Sequence, residues 1–364
     1  RIRAAGRKVW AMGGLKEVQG RRYLQRPSAL ELFLDGGRTA FFNFPGDRGD
    51  VGDAFKTLVR LRRRKNLRRH FLFDGGRELA RGALTDDWVN RRITNLEYLM
   101  ALNTVAGRSY NDLTQYPVVP WVLADYSSDS IDLSDPLVYR DLSRPIGAQT
   151  EERREKLRER YDNFVDDTIP PFHYGTHYST CGYVMWYLIR MEPFAAAGVN
   201  LQGGRFDCPD RLFWSVADAY KNCTTTMNDV KELTPEWYFC PEFLLNKNKF
   251  DLGETQGRGR VDDVALPPWA NGSADEFIRV NRQALESEHV SANIHHWIDL
   301  VFGFKQKGDA AAEATNTYYF LTYEGAVDMD AITDPVVKAS MEAQIADYGQ
   351  TPHQLFRKPH PPRK

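Results

Sequence analysis

The sequence predicts an α+β fold: a small β-rich N-terminal part followed by a mainly α-helical body with long irregular core segments. Three observations carry this. Short apolar and aromatic runs flank a turn at Asp35-Gly36-Gly37, which is a hairpin signal. Apolar residues at helical spacing, opened by threonine or serine caps, recur from Thr94 to Tyr348. Between the helices, stretches such as Tyr116-Pro117-Val118-Val119-Pro120-Trp121 are apolar without a period, and their prolines lack ladder donors.

In chain order, residues 1–44 hold strand-like segments at 21–24, 29–34 and 39–44. After Asp47, Val51, Phe55, Leu58 and Val59 share one face of a helix. The run Arg60 to His70 is the most charged piece of the chain; it reads as cations at a helix C-terminus followed by solvated linker. Gly75-Gly76, Gly82 and Asp86-Asp87 mark an interdomain linker over 71–88, dividing the chain into 1–70 and 89–364. Thr94 and Glu97 form a capping box for a helix that ends at Gly107.

From Thr150 the pattern stays mostly helical. Leu157, Tyr161, Phe164 and Val165 form the stripe of a surface helix, and residues 183–189 are apolar all round, so their helix is central. Phe213, Val216, Ala217 and Tyr220 mark another helix. Ser273 and Glu276 read as a second capping box, and Ile294, Trp297, Ile298 and Val301 follow at helical spacing. Pro335 and Gly349 bracket the last helix, with Val337, Met341, Ile345 and Tyr348 inward. The proline-rich end, 358–364, reads as a linker.

The 364 residues can bury a large core, and 48 basic against 49 acidic side chains leave no global field for nucleic acid. Cys181, Cys208, Cys223 and Cys240 form no C-x-x-C pair and are expected as reduced, buried, inert thiols of a cytosolic protein. No run of about 18 apolar residues is long enough to span a bilayer. The chain starts at Arg1, without methionine and in mid-pattern, and is therefore expected to be a piece of a larger protein.

Long ordered phrases carry the functional signal. N-L-E-Y-L-M from Asn95, N-x-x-A-G-R-S-Y-N-D-L from Asn103, Q-Y-P-V-V-P-W-V from Gln115 and R-D-L-S-R-P-I-G from Arg140 closely resemble the opening of the BEACH domain. The resemblance continues through H-Y-G-T-H-Y-S-T (173–180), D-V-K-E-L-T-P-E (229–236), W-I-D-L-V-F-G-F-K-Q (297–306) and G-Q-T-P-H-Q-L-F (349–356). Departures are small: Val119 stands where the family usually has Phe, and Asp347-Tyr348 precede Gly349 where Asn/Ser-Phe is usual. R-R-Y-L, A-L-E-L-F and the closing helix resemble the second half of the PH-like domain that precedes BEACH, with the first strands of that fold missing. Nothing in this part supports a phosphoinositide pocket.

The resemblance implies a PH-like domain packed on BEACH, a WD-repeat propeller downstream in the full chain, and no cofactor. It implies a non-enzymatic scaffold, cytoplasmic and peripheral on endomembranes, binding proteins or peptides in vesicle trafficking, lysosome-related organelles, receptor sorting or autophagy. The implied partner groove lies between the two parts. Arg21, Arg22, Tyr23 and Glu97 belong to the motifs nearest that junction and are the partner-binding candidates.

Two other classes compete. Arg60 to Arg69 offers cations to an acidic lipid surface. His173 and His177, spaced H-x-x-x-H, with Glu192, Asp207 or Cys181 as third ligand, would suit a metal-dependent hydrolase. Against the latter, Pro170-Pro171 and Gly175 disfavour a helix there, and the glutamate of H-E-x-x-H is missing. No serine-hydrolase elbow, phosphate loop or dinucleotide fingerprint occurs. The motif polar residues Asn103, Arg108, Asn111, Asp112, Arg140 and Asp141 are expected to satisfy the irregular backbone in the core, with Arg140-Asp141 as a buried ion pair.

Overall fold

Strand β1 (Leu15–Tyr23) and strand β2 (Arg26–Leu34) pair antiparallel around Leu24-Gln25, both at positive φ (47° and 62°). Such a turn carries the twist that a right-handed hairpin needs. A second reversal at Asp35–Gly37, with Gly36 and Gly37 at φ of 67° and 71°, leads into β3 (Thr39–Asn43). The computed structural model describes residues 9–44 and 48–364; residues 1–8 of the expected first domain lie outside them.

Helix α1 (Arg48–Arg62) brings Phe55, Leu58 and Val59 against Leu15, Val18, Leu32 and Leu34 of the sheet. The basic run after it is not all linker. Arg69–Phe71 form β4, parallel to β1, and complete a sheet of order β3-β2-β1-β4. Gly20 is needed for this: a Cβ there would lie 2.9 Å from the Leu72 Cα. Gly20 also hid the length of β1, which starts six residues before the strand read from sequence.

The chain divides into two compact units, Arg1–Glu78 and Leu79–Lys364. Residues 71–88 carry α2 (Gly75–Arg81) and most of α3 (Leu84–Val89), with Leu79 and Trp88 buried. In the second unit follow α4 (Asn95–Val105), α5 (Glu151–Asp162), α6 (Cys181–Tyr187), α7 (Phe194–Leu201) and α8 (Val216–Thr225). A two-stranded hairpin, β5 (Glu254–Thr255) and β6 (Gly259–Arg260), precedes α9 (Ala274–Leu285), α10 (Glu288–Val301), α11 (Asp309–Glu313) and α12 (Pro335–Tyr348). Trp88, Trp121, Trp237 and Trp297 are fully enclosed in one large core. The fold is α+β, as the sequence predicts.

Several faces differ from expectation. Helix α5 stops at Asp162, so Val165 lies beyond it and is 92% exposed. On α12 only Ile345 is buried, while Val337 and Tyr348 face solvent. Ser273 accepts from the Glu276 amide, but Glu276 turns to Arg279 (2.5 Å) instead of closing a capping box. Among the cysteines only Cys223 is buried; Cys208, just before the Pro209–Arg211 turn, is exposed. The proline-rich end is tied down within the second unit: the His360 amide donates to Asp299 Oδ1 (2.9 Å), and Arg363 Nη2 donates to the Ile93 carbonyl (2.7 Å).

Candidate functional site

The irregular core segments are held by side chains. Val118 exchanges two hydrogen bonds with the Asn103 amide, its N–H donating to Oδ1 and its carbonyl accepting from Nδ2, both at 2.8 Å. Asn103 lies on α4 and is buried, so the helix fixes the position of a proline-flanked extended segment that has no ladder. Only isolated bridges supplement such pairs, as where Val119 and Leu233 exchange amide bonds. Arg108 donates to the Tyr116 carbonyl (2.7 Å), to Ser179 Oγ (2.8 Å) and to the Gln350 carbonyl. Asp112 receives the Thr114 amide and hydroxyl. Burial raises its carboxyl above the ordinary range.

Arg140 is buried as expected, but its partner is not Asp141. Its Nη1 lies 2.8 Å from Glu232 Oε2. Adjacent residues of an extended segment point to opposite sides, so Asp141 faces out, accepts from Ser143 and pairs with Arg144 at 3.1 Å. Glu232 also receives the Trp121 amide (3.1 Å) and the Trp297 indole N–H (3.0 Å), joining three motif segments at one carboxylate. Burial alone would lower the Arg140 pKa; the facing Glu232 outweighs it, and the net shift is upward. Asn111 is exposed, with its amide donating to Ser109 Oγ, so it is not a core residue.

Of the partner-binding candidates, Arg21 is buried in β1, its Nε 2.7 Å from Glu31 Oε2 and its Nη2 2.9 Å from Gln19 Oε1. Arg22 points the other way, is part-buried, and donates to the Phe73 carbonyl (3.2 Å). Tyr23 is 37% exposed beside Phe41. Glu97 closes the α4 capping box, Oε2 accepting from the Thr94 amide at 2.8 Å; that bond and the Thr94 hydroxyl hold its carboxyl below the usual range.

His173 and His177 are not on a helix, and each ring is engaged. His173 Nδ1 meets Thr317 Oγ1 at 2.7 Å and its ring stacks on Tyr161. His177 Nδ1 contacts the Ser179 backbone and Nε2 meets Thr351 Oγ1 at 3.2 Å. Burial lowers their pKa values to about 4 and about 3, with Arg158 and Arg108 respectively adding to the effect. The expected third ligands are spent elsewhere: Glu192 accepts the Ala196 amide, Asp207 pairs with Arg211, and the Cys181 thiol donates to the Ala346 carbonyl. Among the described residues, no group of three His, Cys, Asp or Glu side chains gathers at metal-holding geometry.

Residues 86–363 match the Beige/BEACH domain family, and residues 2–59 match the PH domain associated with Beige/BEACH. The chain belongs to the Beige/BEACH family. The chain is similar at 48% identity to Protein SPIRRIG and to BEACH domain-containing proteins A2 and B of Arabidopsis thaliana. These alignments cover 98%, 98% and 97% of this chain. They cover 10%, 10% and 14% of the relatives, so the chain spans roughly a tenth of their length. The BEACH match contains all six polar residues expected from the motifs, and also Glu232, which sequence reasoning missed. Its signal was available: Glu232 sits inside D-V-K-E-L-T-P-E, a phrase too polar for the buried neighbours it keeps. No helix among the described residues is long and apolar enough to cross a membrane.

Proposed function

We propose that this chain is a non-enzymatic protein-interaction module of a larger scaffold serving vesicle and membrane trafficking, with lysosome-related, receptor-sorting and autophagic routes as its settings. The observation that supports this best is how the motif polar groups are used. Asn103, Arg108, Arg140 and Glu232 spend their hydrogen bonds on backbone, on each other and on the side chains of Ser179 and Trp297, a pattern suited to rigidity rather than to turnover. The partner-binding residues proposed here are Arg22 and Tyr23 of the first unit and Glu97 of the second; Arg21, buried in β1, is not among them. A protein partner, peripheral endomembrane residence and a following WD-repeat propeller belong to the same proposal.

The test is a quantitative pull-down comparing the unaltered chain with Arg22→Glu, Tyr23→Ala and Glu97→Gln, each first checked for unchanged melting temperature. Loss of a shared set of partners is the expected result. An identical set in all variants, or stoichiometric zinc by elemental analysis, overturns the reading. Arg21 is unsuitable for this purpose, because removing it strands Glu31 in the sheet.

One observation favours a second mode of attachment. Arg60, Arg63, Arg64, Lys65 and Arg68 are exposed around the end of α1. Near an anionic bilayer each such cation contributes about 1 kcal/mol. The chain should therefore sediment with phosphatidylserine vesicles at low salt and lose them as salt shortens the Debye length. Reversing Arg63, Arg64 and Lys65 to Glu should abolish binding; retention would remove this mode.

A further inference from the structure

A cavity of about 460 Å³ opens in the second unit between α6, α8 and the Pro209–Trp214 segment. Its size falls in the roughly 300–1,000 Å³ range of small-ligand sites. Tyr183 and Trp186 line one side, Trp214 another, and Asp210, Asp218 and Asp229 supply carboxylates. The two cations that also line it are committed. Lys231 pairs with Asp229, and Arg211 pairs with Asp207. Asp210 receives the Gln256 amide and lies 3.9 Å from Arg258. Asp218 has a neutral partner, the Asn222 amide at 3.2 Å, and among the described residues no ion pair with a cation. It also sits in the first turn of α8.

The same walls already hold cations from this chain. The Arg258 guanidinium lies 4.4 Å from the Trp214 ring centroid, and Lys231 Nζ lies 4.4 Å from that of Trp186. Trp186 is pinned by its indole N–H, which donates to the Arg211 carbonyl at 2.6 Å. Beside this cavity, sharing Gly182, Trp186 and Leu212, is an apolar slot of about 90 Å³ lined by Met185, Ile189 and Phe206. Leu201 at its rim is 53% exposed.

We propose that the larger cavity receives the guanidinium of an arginine from a partner polypeptide, and that the slot takes the apolar side chain next to it. Charge complementarity selects this occupant. Asp218 offers a planar two-oxygen acceptor without an internal cation, and the tryptophan walls favour a flat, weakly hydrated cation over a compact ammonium. None of Arg22, Tyr23 and Glu97 lines the cavity or the slot, so the site stands or falls independently of the partner-binding residues proposed above.

The test uses the dipeptide N-acetyl-Leu-Arg-amide titrated into the chain with its tryptophan indoles isotopically labelled. The expected result is saturable shifts of the Trp186 and Trp214 indole N–H signals. Binding should weaken by about tenfold or more when citrulline, neutral and nearly isosteric, replaces arginine, and likewise in Asp218→Asn. The proposal is overturned by absence of saturation up to about 10 mM, by equal binding of the citrulline probe, or by shifts confined to other tryptophans. The citrulline comparison uses the unaltered protein, so it decides the matter even if Asp218→Asn folds poorly.

Discussion

Glu232 carries a charge into the aromatic centre of the second unit, and its three donors make that tolerable: Arg140, the Trp121 amide and the Trp297 indole. A buried ion pair adds little by itself, but removing one partner leaves the other charge uncompensated. Arg140→Ala should therefore cost about 3–5 kcal/mol, read by chemical denaturation, whereas Asp141→Ala should stay within about 0.5 kcal/mol. Equal effects would mean that Glu232 finds another cation. This is also where sequence reasoning reached its limit. That Arg140 is structural and buried was legible from its motif, but its partner lies 92 residues away in sequence. Two isolated bridges, Val119 with Leu233 and Leu123 with Tyr139, bring the two segments together across the 119–123 stretch. Local adjacency suggested Asp141, and the alternation of an extended chain excluded it.

Helix α4 shows an element whose boundaries were written locally. Thr94 and Glu97 exchange both capping-box bonds, and Gly107, at φ 93°, takes the chain out of the helix. Thr94→Ala should lower stability by about 1 kcal/mol, while Glu97→Gln, which keeps an acceptor at the same place, should change it by only a few tenths. A melting curve for each variant checks this, and a large loss in Glu97→Gln would assign Glu97 a role beyond the cap. Elements whose partners are distant were less legible. Strand β4 takes the last two residues of the basic run and Phe71, and it is a strand only because β1 presents an unpaired edge and Gly20 lets Leu72 approach. The proline-rich end has no period and reads as a linker, yet His360 is buried, with Nε2 2.7 Å from the Tyr98 hydroxyl. Period and caps encode an element's own shape; long-range hydrogen bonds decide whether an aperiodic segment is anchored.

Across the molecule, buried imidazoles tie stability to pH. His173 and His360 titrate near 4 and His177 near 3, each held down chiefly by burial, against about 6.5 in an unfolded chain. The unfolded state therefore binds protons first as pH falls. The stability that these neutral rings contribute is fully present above about 6.5 and drains away as pH drops towards their folded values. Asp299 works the other way. Burial raises it to about 6, so the folded state binds its proton more tightly, and stability is gained as pH falls from about 6 towards the ordinary carboxylate range. His295 is likewise held near 4, and these four imidazoles together outweigh Asp299 and the carboxyls of Asp112 and Glu236 that burial also raises, so the net effect is a loss. The denaturation midpoint should therefore fall steadily between about pH 6.5 and about pH 4, and His177→Gln, which removes the most depressed of the four, should flatten that slope. If the slope is the same with and without His177, its ring is solvated or charged in the folded state. The hydrogen bonds assigned here to Ser179 and Thr351 would then not be what holds it.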